Sequence, residues 1–288
     1  MKRLPVFVVL LFLCLSLPAQ DFDHEIDSLL AVLRSHKEED WMGLLQGNNT
    51  YHMIYTQAGF ENKTYFAGRD IGVEQFNLMV STSYHYRGIT AFFGGMVYPE
   101  FEPRWYASVL SLSYGNTVFI PFPLDLQVGY DRSFLHAERD TLTAMLPNNI
   151  HLGAGYAAKR WGVHVNYSLL FGSDISSQLS GSLSAKQMLF RWKNGNKLRI
   201  EPTLSLLFAD EESIYYPLPG GNRPPVIVKT FGLLNTVFHI PLVCYWGDAD
   251  ISLGFQYNIP RSTDGESEYD PTYLFTVSAG YVLGFKGK

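Results

Sequence analysis

Along most of the chain, hydrophobic and polar residues alternate one by one. In Trp161 to Phe171 every odd-numbered position is apolar or aromatic, and polar or small residues such as His164 and Ser168 lie between them. Successive side chains of a β-strand point to opposite faces of the sheet, so this stretch predicts a strand with one apolar face and one polar face. The alternation alone does not decide which of the two faces meets water.

The same period of two continues from residue 50 to the end of the chain and predicts twelve strands. We place them at approximately Thr50–Phe60, Gln75–Tyr86, Gly88–Tyr98, Arg104–Tyr114, Leu124–Leu135, Asn149–Lys159, Trp161–Phe171, Ser177–Trp192, Lys197–Ala209, Val226–Ile240, Ala249–Asn258 and Thr272–Phe285. Most have about the length that a tilted strand needs to cross a bilayer. Ahead of them, Asp23 to Lys37 carries leucines at helical spacing, which predicts a short helix.

Aromatic residues and connection lengths favour a membrane barrel. Aromatic side chains recur near the predicted strand ends, where a transmembrane barrel carries its interfacial girdles. Short connections such as Arg87 alternate with long polar ones such as His136 to Asn148, as expected for periplasmic turns and outer loops. The stretches Gly115 to Pro123 and Pro241 to Asp248 break this rule. The sequence therefore predicts an all-β fold, a transmembrane antiparallel up-and-down β-barrel of about 12 strands; the alternative is a secreted soluble β-sandwich.

The N-terminus and the composition agree with export. Lys2 and Arg3 precede a short apolar run, which is typical of a secretory signal peptide. Charged residues make up 17% of the chain, below the roughly 25% usual in soluble domains. The net charge of −5 is spread without a long block of one sign, so we expect no nucleic-acid partner. Loss of the signal peptide removes Cys14 and leaves Cys244, so no internal disulfide can form. We expect a signal peptide at 1–20, an N-terminal helical, periplasmic segment at 21–49 and the barrel at 50–288.

Three short segments carry a resemblance to a known group of proteins. The closing SAGYVLGF resembles the C-terminal assembly signal of bacterial outer-membrane barrels, with Ser278, Gly280, Leu283 and Phe285 as its members. The residues after Phe285 depart from that family's habit of ending on the aromatic. Pro18 to Gln20 is similar to signal cleavage sites of Bacteroidota outer-membrane proteins, and Phe66 to Phe76 resembles uncharacterised barrels from that group. The resemblance implies a barrel in the bacterial cell outer membrane and no particular chemistry.

Polar positions of the predicted strands supply candidates for a lumen lining. They carry charges of both signs and are Asp125, Asp131, His151, His164, Arg199, Glu201, Asp250 and Gln256. Such a set can line a small polar passage or close it as a network of paired charges. In the first outer loop, Arg69 and Asp70 form a candidate salt bridge that packs the loop.

The chain offers no strong catalytic or metal-binding signal. Its eight histidines are scattered without HExxH or CxxC spacing, so we expect no metal site and no cofactor. A hairpin turning at Lys159 and Arg160 places His151 opposite Ser168 with both facing the lumen, which is the wrong side for a membrane lipid. We therefore expect a small passive, porin-like channel or a structural membrane protein rather than an enzyme. The alternative is an outer-membrane lipid-modifying hydrolase of the phospholipase or lipid A deacylase type. Expected partners are outer-membrane lipid and the barrel-assembly machinery, with a small polar solute as a candidate.

Overall fold

A computed structural model describes residues 51–66, 69–70, 75–100, 103–119, 123–135, 146–158, 160–193, 195–215, 226–263 and 269–286. The predicted signal peptide and N-terminal helix lie outside these residues. Within the described ranges the regular elements are β-strands, and no helix there is long and apolar enough to cross a membrane.

The strands form one antiparallel sheet that closes on itself. Its 14 strand segments make twelve strands, because two strands are interrupted. They are β1 (Tyr51–Glu61), β2 (Asn77–Tyr86), β3 (Ile89–Val97), β4 (Trp105–Phe119), β5 (Pro123–Leu135), β6 (Asn148–Ala157), β7 (Trp161–Phe171), β8 (Ile175–Ala185 and Gln187–Arg191), β9 (Lys197–Ile200 and Thr203–Tyr215), β10 (Val226–Trp246), β11 (Ala249–Pro260) and β12 (Thr272–Lys286). Each pairs with its neighbours in the chain, and β1 pairs with β12, with Gln57 opposite Gly280. The prediction of an antiparallel barrel of about twelve strands is confirmed, and the single closed sheet contradicts the two-layer sandwich.

The connections at one end of the barrel are short throughout. Arg87 and Gly88 have φ angles of 50° and 79°, which two-residue hairpin turns require at their central positions. The two stretches that broke the predicted alternation of turns and loops are largely strand, because β4 continues to Phe119 and β10 continues through Pro241 to Trp246. The interpretation of these two stretches as connections was therefore wrong. Proline and glycine usually mark turns, but here they lie inside long strands.

Prolines interrupt the ladder between β9 and β10. The backbone N–H of Glu201 donates to the carbonyl of Pro241 at 3.0 Å. The reciprocal bond cannot form because proline has no N–H, and the hydroxyl of Thr203 donates to the Glu201 carbonyl at 3.4 Å instead. Pro202 breaks β9 itself, so the predicted continuous strand from Lys197 to Ala209 consists of two segments.

The outward face of the barrel is apolar. Leu112, Leu152 and Leu253 expose 58%, 56% and 54% of their surface, and similar residues occupy the outward positions of the other strands. Exposing this continuous band to water would cost about 25 cal/mol for each Å². Hydrocarbon must therefore surround the barrel, with the polar row enclosed.

Candidate functional site

The lumen is the candidate functional site, and the strand register places all eight predicted lining residues on its wall. On β5 to β7, Asp125, Asp131, His151 and His164 lie in the inward row, and on β9 and β11 the inward row includes Arg199, Glu201, Asp250 and Gln256. The two groups differ in exposure. Asp125 and His164 are exposed inside the barrel, whereas Arg199 has no exposed surface and Asp250 only 4%. The lumen therefore has an accessible wall (the inward residues of β5–β7) and a packed wall (the inward residues of β9–β12 and β1).

Glycines on neighbouring strands make room for the two histidines of the accessible wall. A Cβ atom on Gly129 would lie 2.3 Å from Nε2 of His151, and one on Gly153 would lie 3.2 Å from Nε2 of His164. Both imidazole rings therefore lie over an adjacent strand, against the barrel wall. The Nδ1 atom of His151 lies 3.1 Å from Oδ2 of Asp131, which fixes the ring in this position.

The carboxylate of Asp125 is the exposed charge on this wall. The hydroxyl of Thr117 on β4 donates to it at 2.6 Å. At the next inward position of β5, the amide of Gln127 donates to the hydroxyl of Ser113 at 3.0 Å. These bonds order the polar surface while the carboxylate stays in contact with water.

The packed wall is built around a buried ion pair. The Nε atom of Arg199 donates to the carboxylate of Glu201 at 2.8 Å, and Nη2 donates to the hydroxyl of Tyr245 at 3.0 Å. The guanidinium also lies over the ring of Tyr245, 4.8 Å from its centroid. Beside them, the hydroxyl of Tyr55 donates to Asp250 at 3.2 Å. The ion pair neutralises the buried charges of Arg199 and Glu201, and the Tyr55 hydroxyl satisfies a hydrogen bond of the buried Asp250 carboxylate.

Sequence reasoning missed two members of the packed wall. Tyr245 lies in the stretch interpreted as a connection between strands; continuing the alternation through Pro241 would have placed it inward, opposite Asp250. Lys197, at the first position of β9, is 93% buried in the same wall, since its exposed fraction is 7%. Its place two residues before Arg199 puts it in the same polar row, so continuing the alternation to the first residue of the strand would have found it.

At the outer rim, the first outer loop is tied to a distant strand. The Nη1 atom of Arg69 lies 2.5 Å from a carboxylate oxygen of Glu211 on β9, 142 residues away. Glu211 also accepts the backbone N–H of Thr263 at 2.7 Å and its hydroxyl at 2.9 Å. Burial raises the pKa of Glu211, but the bonds from Arg69 and Thr263 outweigh it and hold that pKa below its ordinary value.

Glu211 is thus an ion-pair partner of Arg69 outside its own loop, and the guanidinium also lies over the ring of Tyr269, 4.3 Å from the centroid. The predicted salt bridge between Arg69 and Asp70 stays a prediction. The backbone of Asp70 pairs with that of Tyr65 in a short antiparallel ladder within the loop. Which distant residue lies beside Arg69 depends on the register of the strands around the barrel. A short local motif gives no information about that register.

The residues of the predicted assembly signal lie on the closing strand β12. Ser278 and Gly280 face inward, opposite Gly59 and Gln57 of β1. Leu283 faces outward with 53% of its surface exposed, and the backbone of Phe285 pairs with His52. The segment thus forms one side of the junction between the first and last strands.

The geometry around His151 does not assemble a nucleophile and base. His151 and Ser168 are directly opposite on β6 and β7, as the hairpin predicted. However, the imidazole lies over Gly129 on the other side of β6, and the hydroxyl of Ser168 accepts a hydrogen bond from Asn166 at 3.1 Å. Among the described residues there is also no group of three or more His, Cys, Asp or Glu that could hold a metal ion.

Comparison with solved structures finds other barrels of low sequence identity. The KdgM porin is 8% identical over 80% of this chain and 98% of that chain, with a TM-score of 0.44. The NanC porin in a rhombohedral crystal form is 8% identical over 79% of this chain and 98% of that chain, also with a TM-score of 0.44. The Acinetobacter baumannii outer membrane protein Omp33 is 9% identical over 82% of this chain and 100% of that chain, with a TM-score of 0.35. No family model and no curated protein matches the sequence.

Closure of the sheet and its lipid-facing apolar band make the protein a β-barrel of the bacterial outer membrane.

Proposed function

We propose that the barrel is a passive channel for small hydrophilic solutes and that it favours cations over anions. The observation that supports this is the unequal exposure of the inward charges. Asp125 is exposed to the lumen, while the basic residues Lys197 and Arg199 retain 7% and 0% of their surface. Among the described inward residues of β5 to β7 there are two carboxylates and two histidines but no lysine or arginine.

Charge that solvent can reach determines which ions collect in a lumen. The carboxylates of Asp125 and Asp131 lie on the accessible wall, where they raise the local concentration of cations and lower that of anions. Arg199 is already neutralised by Glu201, at contact distance within the packed wall. The eight lining residues carry charges of both signs, but the negative ones are more accessible to solvent. They therefore dominate the electrostatic potential that an ion meets in the lumen.

Conductance across a planar bilayer tests this proposal. The refolded protein should produce stepwise currents in KCl. With a KCl gradient across the membrane, the potential at zero current should have the sign expected when K⁺ crosses more easily than Cl⁻. A folded barrel that inserts without conductance would contradict the channel, and a potential of the opposite sign would contradict the cation preference. Protein denatured by heat before addition serves as the control for detergent leakage.

We also propose that the protein has no hydrolase activity and that its partners are outer-membrane lipid and the barrel-assembly machinery. The support is that His151 leans away from Ser168 and that both residues face inward, away from lipid. Incubation of the refolded barrel with phospholipid and with lipid A should release no fatty acid. Fatty-acid release that is lost in a His151→Ala variant would contradict this part of the proposal.

A further inference from the structure

On the accessible wall, Asp125 and His164 lie on either side of a glycine. Gly155 of β6 pairs with Asp125 of β5 on one side and with His164 of β7 on the other. A Cβ atom on Gly155 would lie 3.2 Å from Cδ2 of His164 and 3.9 Å from Cβ of Asp125. Because glycine has no side chain, no group from β6 stands between the imidazole and the aspartate at this level of the lumen.

The imidazole of His164 is open to the lumen. The residue is exposed, and its ring forms no hydrogen bond or ion pair with any of the described residues. His85 on β2 is different, since the hydroxyls of Ser83 and Thr90 lie 2.8 and 2.9 Å from its two ring nitrogen atoms. The nitrogen atoms of His164 can therefore meet a solute, whereas those of His85 are occupied.

An amide oxygen lies on the other side of the His164 ring. A Cβ atom on Gly153 would lie 3.2 Å from Nε2 of His164 and 3.5 Å from Oδ1 of Asn166. The amide nitrogen of Asn166 donates to the hydroxyl of Ser168 at 3.1 Å, so its oxygen is the end that lies beside the ring. The imidazole nitrogen is thus flanked by a carboxylate and an amide oxygen, a combination that suits a cation.

We propose that His164 and Asp125 form a transit site for hydrated divalent transition-metal cations such as Zn²⁺. The imidazole nitrogen coordinates the ion directly, and the carboxylate attracts it through the water that the ion retains. Imidazole suits Zn²⁺, Ni²⁺ and Cu²⁺, whereas Mg²⁺ and Ca²⁺ prefer oxygen ligands. The proposal names a class of solute for the cation channel, and passage of the ion through the lumen rests on that proposed function.

The small number of protein ligands suits passage rather than permanent binding. The described residues contain no group of three or more His, Cys, Asp or Glu that could hold a metal ion. A tightly held zinc takes three or four protein ligands, whereas conduction requires an ion to leave its site again. An anion would fit poorly, because the Asp125 carboxylate repels it.

Nuclear magnetic resonance in micelles tests binding without relying on conductance. Zn²⁺ is added to the refolded barrel, and the backbone amides of Gly153 and Gly155 are the reporters, because both glycines lie against the His164 ring. We expect saturable shifts of these signals with Zn²⁺ and no saturable shift with Mg²⁺, which carries the same charge. Equal shifts with the two ions would show attraction by charge alone and would overturn coordination by His164.

Substitutions separate the roles of the two side chains. His164→Asn should weaken Zn²⁺ binding by more than tenfold, because it removes the coordinating nitrogen. Asp125→Asn should weaken it about tenfold, the effect of one unit charge about 6 Å from a divalent ion in water. His85→Asn is the matched control and should bind as wild type, with folding of each variant checked by heat-modifiable migration. Absence of a saturable shift in the wild type, or wild-type affinity in a folded His164→Asn variant, would overturn the proposal.

Conductance distinguishes failure of this site from failure of the channel. Zn²⁺ at the concentration that saturates the shifts should reduce the K⁺ current of the wild type reversibly and leave that of His164→Asn unchanged. A cation-selective channel whose current does not respond to Zn²⁺ would overturn the transit site and keep the channel. A barrel that binds Zn²⁺ at His164 and never conducts would keep the binding site and contradict the channel.

Discussion

Replacing Asp125 by asparagine should reduce the cation preference of the channel without closing it. The substitution keeps the shape of the side chain and an oxygen that can accept the Thr117 hydroxyl, at 2.6 Å in the structure. It removes the negative charge that is exposed to the lumen. Conductance should therefore change little, whereas the ratio of K⁺ to Cl⁻ permeability should fall.

The size of the change follows from the dimensions of the barrel. Twelve strands about 4.8 Å apart and tilted by about 45° enclose a cylinder of roughly 13 Å radius. Inward side chains extend about 6 Å, so an ion on the axis passes roughly 7 Å from the carboxylate. In water that charge contributes about 0.6 kcal/mol, and screening in 0.1 M salt halves it to about 0.3 kcal/mol. Because the sign reverses between K⁺ and Cl⁻, the difference is about 0.6 kcal/mol, which is roughly threefold in the permeability ratio.

Zero-current potentials at two ionic strengths measure this effect. In about 0.1 M KCl, Asp125→Asn should lower the permeability ratio by roughly threefold. In about 1 M KCl the screening length falls to about 3 Å, and the difference from wild type should almost vanish. Asp125→Glu, which keeps the charge, and Asp174→Asn, which removes a carboxylate paired with Lys229 at the rim, are the controls. An unchanged potential for Asp125→Asn at low salt would refute the assignment of selectivity to this wall.

Three further predictions concern stability, measured by urea unfolding in micelles. Arg199→Met should cost about 3–5 kcal/mol, because it leaves the Glu201 carboxylate buried without its cation; the added substitution Glu201→Gln should recover part of the loss, and no recovery would argue against the ion pair. Pro241→Ala supplies the N–H missing opposite the Glu201 carbonyl and should stabilise the barrel by about 0.5–1.5 kcal/mol, whereas destabilisation would show that the proline ring packing matters more. The pKa of Glu211 is lower in the folded state than its ordinary value of 4.5, so its pairing stabilises the fold above pH 4.5 and is lost as the pH falls below that value. Glu211→Gln should lack this acid-dependent part, and an identical acid response in both proteins would count against it.

The period of two in the sequence was sufficient to predict the barrel wall. It placed twelve strands in order and separated the two rows of each, because alternation of side chains is a local property of an extended backbone. Long strands broken by proline were harder. Lys197 to Ala209 looks continuous, yet Pro202 divides it, since one missing N–H changes hydrogen bonding without changing the alternation.

Accessibility and pairing within the lumen could not be predicted in the same way. Asp125 and Asp250 both lie in inward rows of their strands. Asp125 is exposed, whereas Asp250 is buried, with 4% of its surface exposed, and is hydrogen-bonded to Tyr55. Which inward residue packs on which depends on the stagger of twelve strands around the barrel. The Bacteroidota origin and the division of residues 1–49 into a signal peptide and a helix stay predictions.

The pairing of β1 with β12 determines the order of events during assembly. Tyr51 is paired with Lys286, so the seam joins residues from opposite ends of the described chain. Such a distant pair carries a large loop-closure cost, and it can form only after the last strand has been synthesised. Until then both terminal strands have unpaired edges, which other chains could join. The same adjacency means that a short linker from residue 286 to residue 51, with new termini cut at Arg87 and Gly88, should give a permuted barrel with the same wall.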